Sequence, residues 1–530
     1  MKTNECLSQS LPEKIDVLVV GYGPVGAAVA ALLGRYGVQT LVIDKAKDIL
    51  MMPRAIALDN EALRILQMAG LTDRCFDRLG IQEVRMHCPV MGEYGRINTA
   101  GSIDGHPKLV TFYQPELEAA LRKQVGKFNN VSVYCGLELD DLQQTHAGVK
   151  AFLKDDNGIR HQVFARYVIG ADGASSKVRS LNNMEFDGQT YTQDWLIVDA
   201  RRRNTQAIDH VEFICDPDRP TPHMPAPGGR ERWEFMLQPG ETRDDMERPE
   251  KLAELLSPWV NAEDLSIERH AVYRFHARCC NHFQKGRVFL VGDAAHITPP
   301  FVGQGLVAGL RDAANLSWKL AWVTRGRANP AILNSYDQER QPHAKQMITL
   351  AKLMGQMVMP RDRVRAVAVH GAVRVLRKIP PFRAYLEDLK IKPLNTFKKG
   401  LFVAGRRKTK LQRGAQFPQS LVKQGETIRL SDDVLGEQLT MVGLGVDPQI
   451  LLEESTRARW QALGGHFLHI GMRGQPANTE SPFVESFSND FVLNKPRGWL
   501  VVVRPDRVVM HDGTPDDANR MVTKCLEFMA

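Results

Sequence analysis

Two glycine-rich stretches about 270 residues apart hold the residue types with the clearest chemistry. The first, Gly21-Tyr22-Gly23-Pro24-Val25-Gly26, follows the apolar run Val17–Val20 and opens a helix-like run from Pro24 to Tyr36. Leu41-Val42-Ile43 reads as a second strand, so residues 15–44 form one βαβ unit. In that setting Gly21 permits the tight turn, Gly23 lets backbone approach a pyrophosphate, and Gly26 lets helix pack on strand. The helix N-terminus, with Pro24 and Val25 in its first turn, offers free N–H groups and a dipole that favours an anion. Asp44 ends the second strand, with Lys45 after it. Its carboxylate can accept hydrogen bonds from a ribose and repels a 2′-phosphate, so FAD or NAD is expected there rather than NADP.

The second stretch is VGDAAHITPPFVGQGLVAGLRDA, residues 291–313. The strand Val288–Val291 delivers Asp293 to where a ribityl hydroxyl could bond it. The turn Pro299–Gly305, through Pro300, Gly303 and Gln304, starts a helix from Leu306 to about Val323. A reduced flavin is anionic at its N1–C2=O edge, and backbone N–H groups near Gly305 and Leu306 would stabilise it. FAD needs a cradle at its pyrophosphate and another at its isoalloxazine, hence two turns. A plain Gly/Pro loop before a capped helix does not explain why both turns follow strands.

GYGPVG, ARYVIGADGASSKVR (165–179) and GRVFLVGDAAHITPPFVGQG (286–305) resemble the three fingerprints of single-component FAD-dependent aromatic hydroxylases. PRAIALDNEALRILQ, FICDPDRP, RWEFMLQPGE and SYDQERQPHA extend the resemblance over nearly the whole chain. It implies that Asp172 and Gly173 serve both FAD and NAD(P)H, that Arg54 meets the ribityl or phosphate region, and that Gln114 and Arg122 touch FAD. It also implies a C-terminal thioredoxin-like domain, which here retains only Cys525 and so has no redox role. Many members carry Asn two residues after the Gly-Gln-Gly turn; Val307 stands there instead, leaving the flavin contact to backbone N–H groups. A single Rossmann fingerprint means that NADH or NADPH visits the flavin transiently.

Asp59 has two readings. It is a helix N-cap before Asn60-Glu61-Ala62-Leu63. It also falls where related phenol hydroxylases carry an Asp thought to take the phenol proton.

The elements that must position these residues follow from pattern. Residues 1–184 and 276–345 read as the α/β, Rossmann-type FAD-binding domain, with helices at Asp59–Ala69 and Pro115–Val125. Residues 185–275 read as a β-rich substrate domain with a mixed sheet, in which Trp233, Phe235 and Leu237 share one face of a half-buried strand. Residues 346–410 form a helical segment and linker, whose run RDRVRAVAVHGAVRVLRK reads as a surface helix. Residues 411–530 are the C-terminal unit, with two strands in WLVVVRPDRVVM and a closing helix from Asp516 to Met529.

Composition excludes much else. The net charge is +8, but the basic residues are scattered, which argues against nucleic acid. The denser spots, Arg201-Arg202-Arg203 and 398–413, read as solvated turn or linker. No run of eighteen apolar residues and no apolar leader are present, and none of the eight cysteines forms a CxxC, so a reducing cytoplasm is expected, without membrane or metal.

The function expected is hydroxylation of a phenolic ring ortho to an existing hydroxyl, using non-covalent FAD, NADH or NADPH, and O2. The basic balance, with Arg232 and Arg274 in the insert, points to a substrate with a carboxylate or other anionic group. The alternatives are a tailoring or antibiotic-modifying hydroxylase acting on a larger aromatic, and a flavin-binding reductase or sensor. A homodimer is compatible with all three.

Overall fold

The strands Lys14–Val20, Thr40–Asp44 and Arg160–Gly170 contain near-continuous apolar runs that are buried, the pattern of a parallel sheet covered on both faces. The computed structural model describes residues 11–203, 208–360, 362–387, 392–405, 411–475, 479–487 and 498–530. It orders four parallel strands as Val131–Cys135, Thr40–Asp44, Lys14–Val20 and Arg160–Gly170. Val288–Leu290 joins the last of these in parallel, with Leu290 opposite Gly170. Both glycine turns therefore leave the carboxyl edge of one sheet, where open α/β sheets bind ligands.

The first helix, Pro24–Arg35, packs against the helix Gly305–Thr324. A Cβ on Gly292 or Gly309 would stand 3.2 or 2.6 Å from Val25 Cγ2. Close backbone approach there brings the two turns together.

A second sheet of eight strands runs in the order His296–Ile297, Leu265–Cys280, Phe186–Arg202, Arg230–Met236, Thr221–Ala226, Val211–Ile214, Glu83–Cys88, Gly92–Asn98. Its last two strands come from upstream of the insert and join by the parallel pairing of Val84–His87 with Val211–Ile214. The sequence pattern does not foretell this pairing. Trp233, Phe235 and Leu237 do share one face, packed with Leu252 and Leu256. The strand is not half-buried, however. Arg232 and Glu234 on the opposite face are buried too, because that face closes against the FAD-binding unit. Nor do Arg201 and Arg202 form a solvated turn: both lie in the strand Phe186–Arg202, paired with Glu268 and Glu231.

The helix Arg363–Leu376 buries Ala366 and His370 alone of its described side chains, as a surface helix should. Beyond it, a seven-stranded sheet contains Trp499–Val503 and Val509–Gly513 and is covered by the helix Ala518–Met529. Buried ion pairs fasten this unit to the rest: Arg504 to Glu339 at 2.6 Å, and Arg64 to Asp432 at 2.7 Å. Of the basic stretch 398–413, residues 406–410 lie outside the described residues, and Arg413 pairs with Asp512 at 2.7 Å. Among the described residues, no helix is long and apolar enough to cross a membrane, and no acidic, His or Cys cluster could hold a metal ion.

Candidate active site

One cavity of about 1450 Å³ begins at the first glycine turn, passes the second and ends on the face of the eight-stranded sheet. Every residue read from the sequence as a site residue lines it except Gly26 and Arg232. Gly26 lies behind the wall, where a Cβ would stand 2.0 Å from Gly21 O, so it serves the helix–strand packing. Gly21 has φ +103°, a turn that only glycine makes readily. A Cβ on Gly23 would meet nothing within 4 Å, which leaves the backbone open to the cavity.

At this end Asp44 accepts from Tyr22 N at 2.6 Å and Ala46 N at 2.7 Å, which fixes the carboxylate at the cavity rim beside Lys45. Arg122 lies over the Tyr22 ring and donates to Tyr22 O at 3.0 Å and Glu118 Oε1 at 2.7 Å. Gln114 Oε1 accepts from Arg54 N at 2.9 Å and Ala55 N at 2.8 Å, so it shapes the loop that carries Arg54. Asp172 Oδ2 accepts from Lys177 N and Val178 N, and its buried Oδ1 has no partner among the described residues. Gly173 turns there with φ +76°.

At the second turn, burial raises the Asp293 carboxyl above its usual range, while Arg54 and His296 lower it. Asp293 lines the cavity with no hydrogen bond to its side chain among the described residues. Pro300 opens a short 3₁₀ turn that Gly303 ends in the left-handed region at φ +60°. Gly305 and Leu306 then begin the long helix without a side-chain cap, and a Cβ on Gly305 would meet only open space. Unclaimed helix N–H groups, an unpaired Asp293 and an orphaned Asp172 oxygen fit the charged, hydroxyl-rich length of FAD.

Asp59 is buried and caps the helix Asn60–Met68, its Oδ1 accepting from Ala62 N at 2.9 Å. Its Oδ2 accepts from Lys392 Nζ at 2.6 Å, Arg311 at 3.1 Å and Gln304 Nε2 at 3.2 Å. Burial would raise this carboxyl, but Lys392 and Arg311 outweigh burial and hold it below the usual range. Such a carboxylate is a weak proton acceptor.

Several residues important to the site escape sequence reading. Asp312 accepts from Gly292 N at 3.1 Å and is itself held by His296 and Arg340. Arg269 and Tyr273, on the strand Leu265–Cys280, bond each other at the cavity wall. Alternation within RWEFML is the one signal for Glu234, since it sets Glu234 opposite Trp233 and Phe235. Arg232 binds Asp199, Pro53 O and Arg54 O, so it anchors the Arg54 loop rather than presenting a cation to the cavity. Arg274 reaches the cavity but is paired with Asp194 at 2.7 Å.

The two glycine turns and the sheet-walled chamber share one cavity, whose length and lining suit a bound dinucleotide. The chain belongs to the family whose model, described as an FAD binding domain, matches residues 14–351; a second model, the HcaD C-terminal domain, matches 414–528. Among its relatives, the 3-(3-hydroxy-phenyl)propionate/3-hydroxycinnamic acid hydroxylase 2 of Burkholderia vietnamiensis is 35% identical, covering 94% of this chain and 93% of that protein. The hydroxylase of the same name from Escherichia coli (strain SMS-3-5) is 31% identical over 99% and 96%. In fold the chain is similar to the flavin-dependent monooxygenase PieE in complex with FAD and substrate, at TM-score 0.82 and 21% identity, covering 98% and 100%. It is also similar to aklavinone-11 hydroxylase with FAD and aklavinone, at TM-score 0.77 and 22% identity, covering 98% and 99%. The protein is an FAD-dependent aromatic hydroxylase.

Proposed function

We propose that the substrate is a phenol hydroxylated ortho to its hydroxyl. In the overall reaction, phenol, NAD(P)H, a proton and O2 give catechol, NAD(P)+ and water. The observation that supports it is one continuous cavity joining both halves of the cofactor cradle to a mainly apolar sheet face. FAD, held without a covalent bond, supplies the hydride acceptance and oxygen activation. Backbone N–H groups at Gly305 and Leu306 stabilise negative charge at the cradle's inner end. Phe213, Met224 and Met347 keep water from the ring, and water is what turns such reactions toward peroxide release. Asp44, Asp172 and Asp293 hold hydroxyl and amide groups of the cofactor, with Arg54 on its phosphate or ribityl side. Asp59 orders the inner turn through Gln304.

Residues 411–530 we read as a thioredoxin-like unit without redox chemistry. Its central strands, a parallel pair Thr440–Leu444 and His466–Gly471 beside antiparallel Trp499–Val503, support that reading.

Oxidation of NADH and of NADPH across a panel of phenols, with product mass followed, tests the proposal. A product one oxygen heavier, formed in proportion to nicotinamide consumed, is expected. Oxidation to peroxide with every phenol would overturn it.

A further inference from the structure

The sheet face at the far end of the cavity sets one carboxyl among mainly apolar side chains, with Arg269 and Tyr273 also in the wall. Glu234 lines the cavity, is only 7% exposed, and accepts no hydrogen bond at its side chain from any described residue. Its cross-strand neighbour is Ile197, and Pro222, Met224, Phe213 and Val211 surround that end of the chamber. A buried carboxyl left without a partner costs stability, so it persists where a ligand completes it.

The charged groups near it come from three strands. Arg232 is two residues away on its own strand, Asp199 lies on Phe186–Arg202, and Arg269 and Tyr273 lie on Leu265–Cys280. Arg232 and Arg269 both bind Asp199. The two arginines and Asp199 sum to +1. The group is neutral with Glu234 ionised, and carries one uncompensated positive charge with Glu234 protonated.

We infer that Glu234 receives the substrate's carboxylate tail as a neutral acid, taking up one proton as the anion binds. The carboxylate replaces the charge that Glu234 gives up, and the acid's O–H donates to a carboxylate oxygen, a short charge-assisted bond. Burial pushes the free carboxyl up to about 7, against which Arg232 acts while Asp199 adds to it and Arg269 again opposes it. The proton is therefore available near neutral pH. This inference rests on the phenol-hydroxylase reading and names the second functional group of its substrate.

The test uses FAD-loaded protein and two probes, 3-(3-hydroxyphenyl)propionate and its primary amide, titrated by flavin absorbance between pH 6 and 8. Over that range the acid stays ionised and its phenol stays protonated. For wild type the propionate should bind about tenfold tighter at pH 6 than at pH 8, and the amide nearly equally at both. Calorimetry in buffers of different ionisation enthalpy should show close to one proton taken up per propionate bound at pH 8. Glu234→Gln, neutral throughout, should bind propionate at pH 8 about as tightly as wild type does at pH 6, with no slope. Propionate binding that is flat with pH, or a slope that survives in Glu234→Gln, overturns the inference while leaving phenol hydroxylation standing. If no phenol binds or is hydroxylated, both readings fall.

Discussion

The ammonium of Lys392 lies 2.6 Å from the Asp59 carboxylate, which Arg311 and Gln304 also hold. Glu61 shares the same two cations, with Arg311 at 2.7 Å and Lys392 at 3.3 Å. A wall segment of the cavity is thus tied to the helix cap and to the inner glycine turn by a single knot of charge.

Asp59→Asn keeps an acceptor for Ala62 N but removes the charge facing Lys392 and Arg311. We expect a loss of about 3–5 kcal/mol in unfolding free energy, as for a broken buried ion pair, together with weaker FAD retention. The yield of hydroxylated product per nicotinamide should not improve at higher pH. Recovery of yield at pH 9 in Asp59→Asn would instead mark Asp59 as the group that takes the phenol proton.

Arg311 and Lys392 also pull the half-buried Glu61 carboxyl down to about 2, against the desolvation that would raise it. Its stabilisation is present above the ordinary Glu range, about 4.3, and is lost as pH falls from there toward 2. The Tm difference between wild type and Glu61→Gln should be full at pH 6 and clearly smaller at pH 3. A difference that grows on acidification would contradict the ion-pair account.

Much of the cradle is legible in the sequence because it is local. Strand, turn and helix follow one another at Val17–Arg35 and at Val288–Thr324, and their glycines mark where backbone must come close. The chamber is less legible because it is assembled across the chain. Arg232 shows its place only once Pro53 O and Arg54 O are near it, and Glu234 stands out only once its neighbours prove to be apolar. Lys392 lies in a stretch without periodicity, and nothing in its local pattern points 333 residues back to Asp59.

Asp293→Ala should weaken FAD binding by roughly 1.5–3 kcal/mol, the loss of a hydrogen bond to a charged group. Flavin fluorescence released on dilution measures it. Retention equal to wild type would move the ribityl contact elsewhere.

Arg504 and Glu339 are fully buried, with Lys319 and Asn315 on the same carboxylate at 2.8 and 2.7 Å. Arg504→Met leaves that carboxylate short of a cation in the interior. A loss of about 3–5 kcal/mol in denaturant unfolding is expected, and the C-terminal unit should become the first to be cleaved by protease.

Cys525 is buried in the core of the C-terminal helix, and burial raises its thiol well above the usual range. Thiol labelling followed by mass mapping should find it unmodified in the native protein and modified only on unfolding. Rapid native labelling would reopen a redox role for that unit.

The parallel pairing of Val288–Leu290 with Val168–Gly170 has a consequence for biosynthesis. A ribosome must release more than half the chain, including the whole β-rich insert, before the sheet can gain its last parallel strand and Asp293 can arrive beside the first turn. Until then the nascent chain holds the first glycine turn but lacks the second, from Asp293 to Leu306. A complete cradle can therefore form only after the insert has been made, and a chain stalled within the insert would lack its second turn.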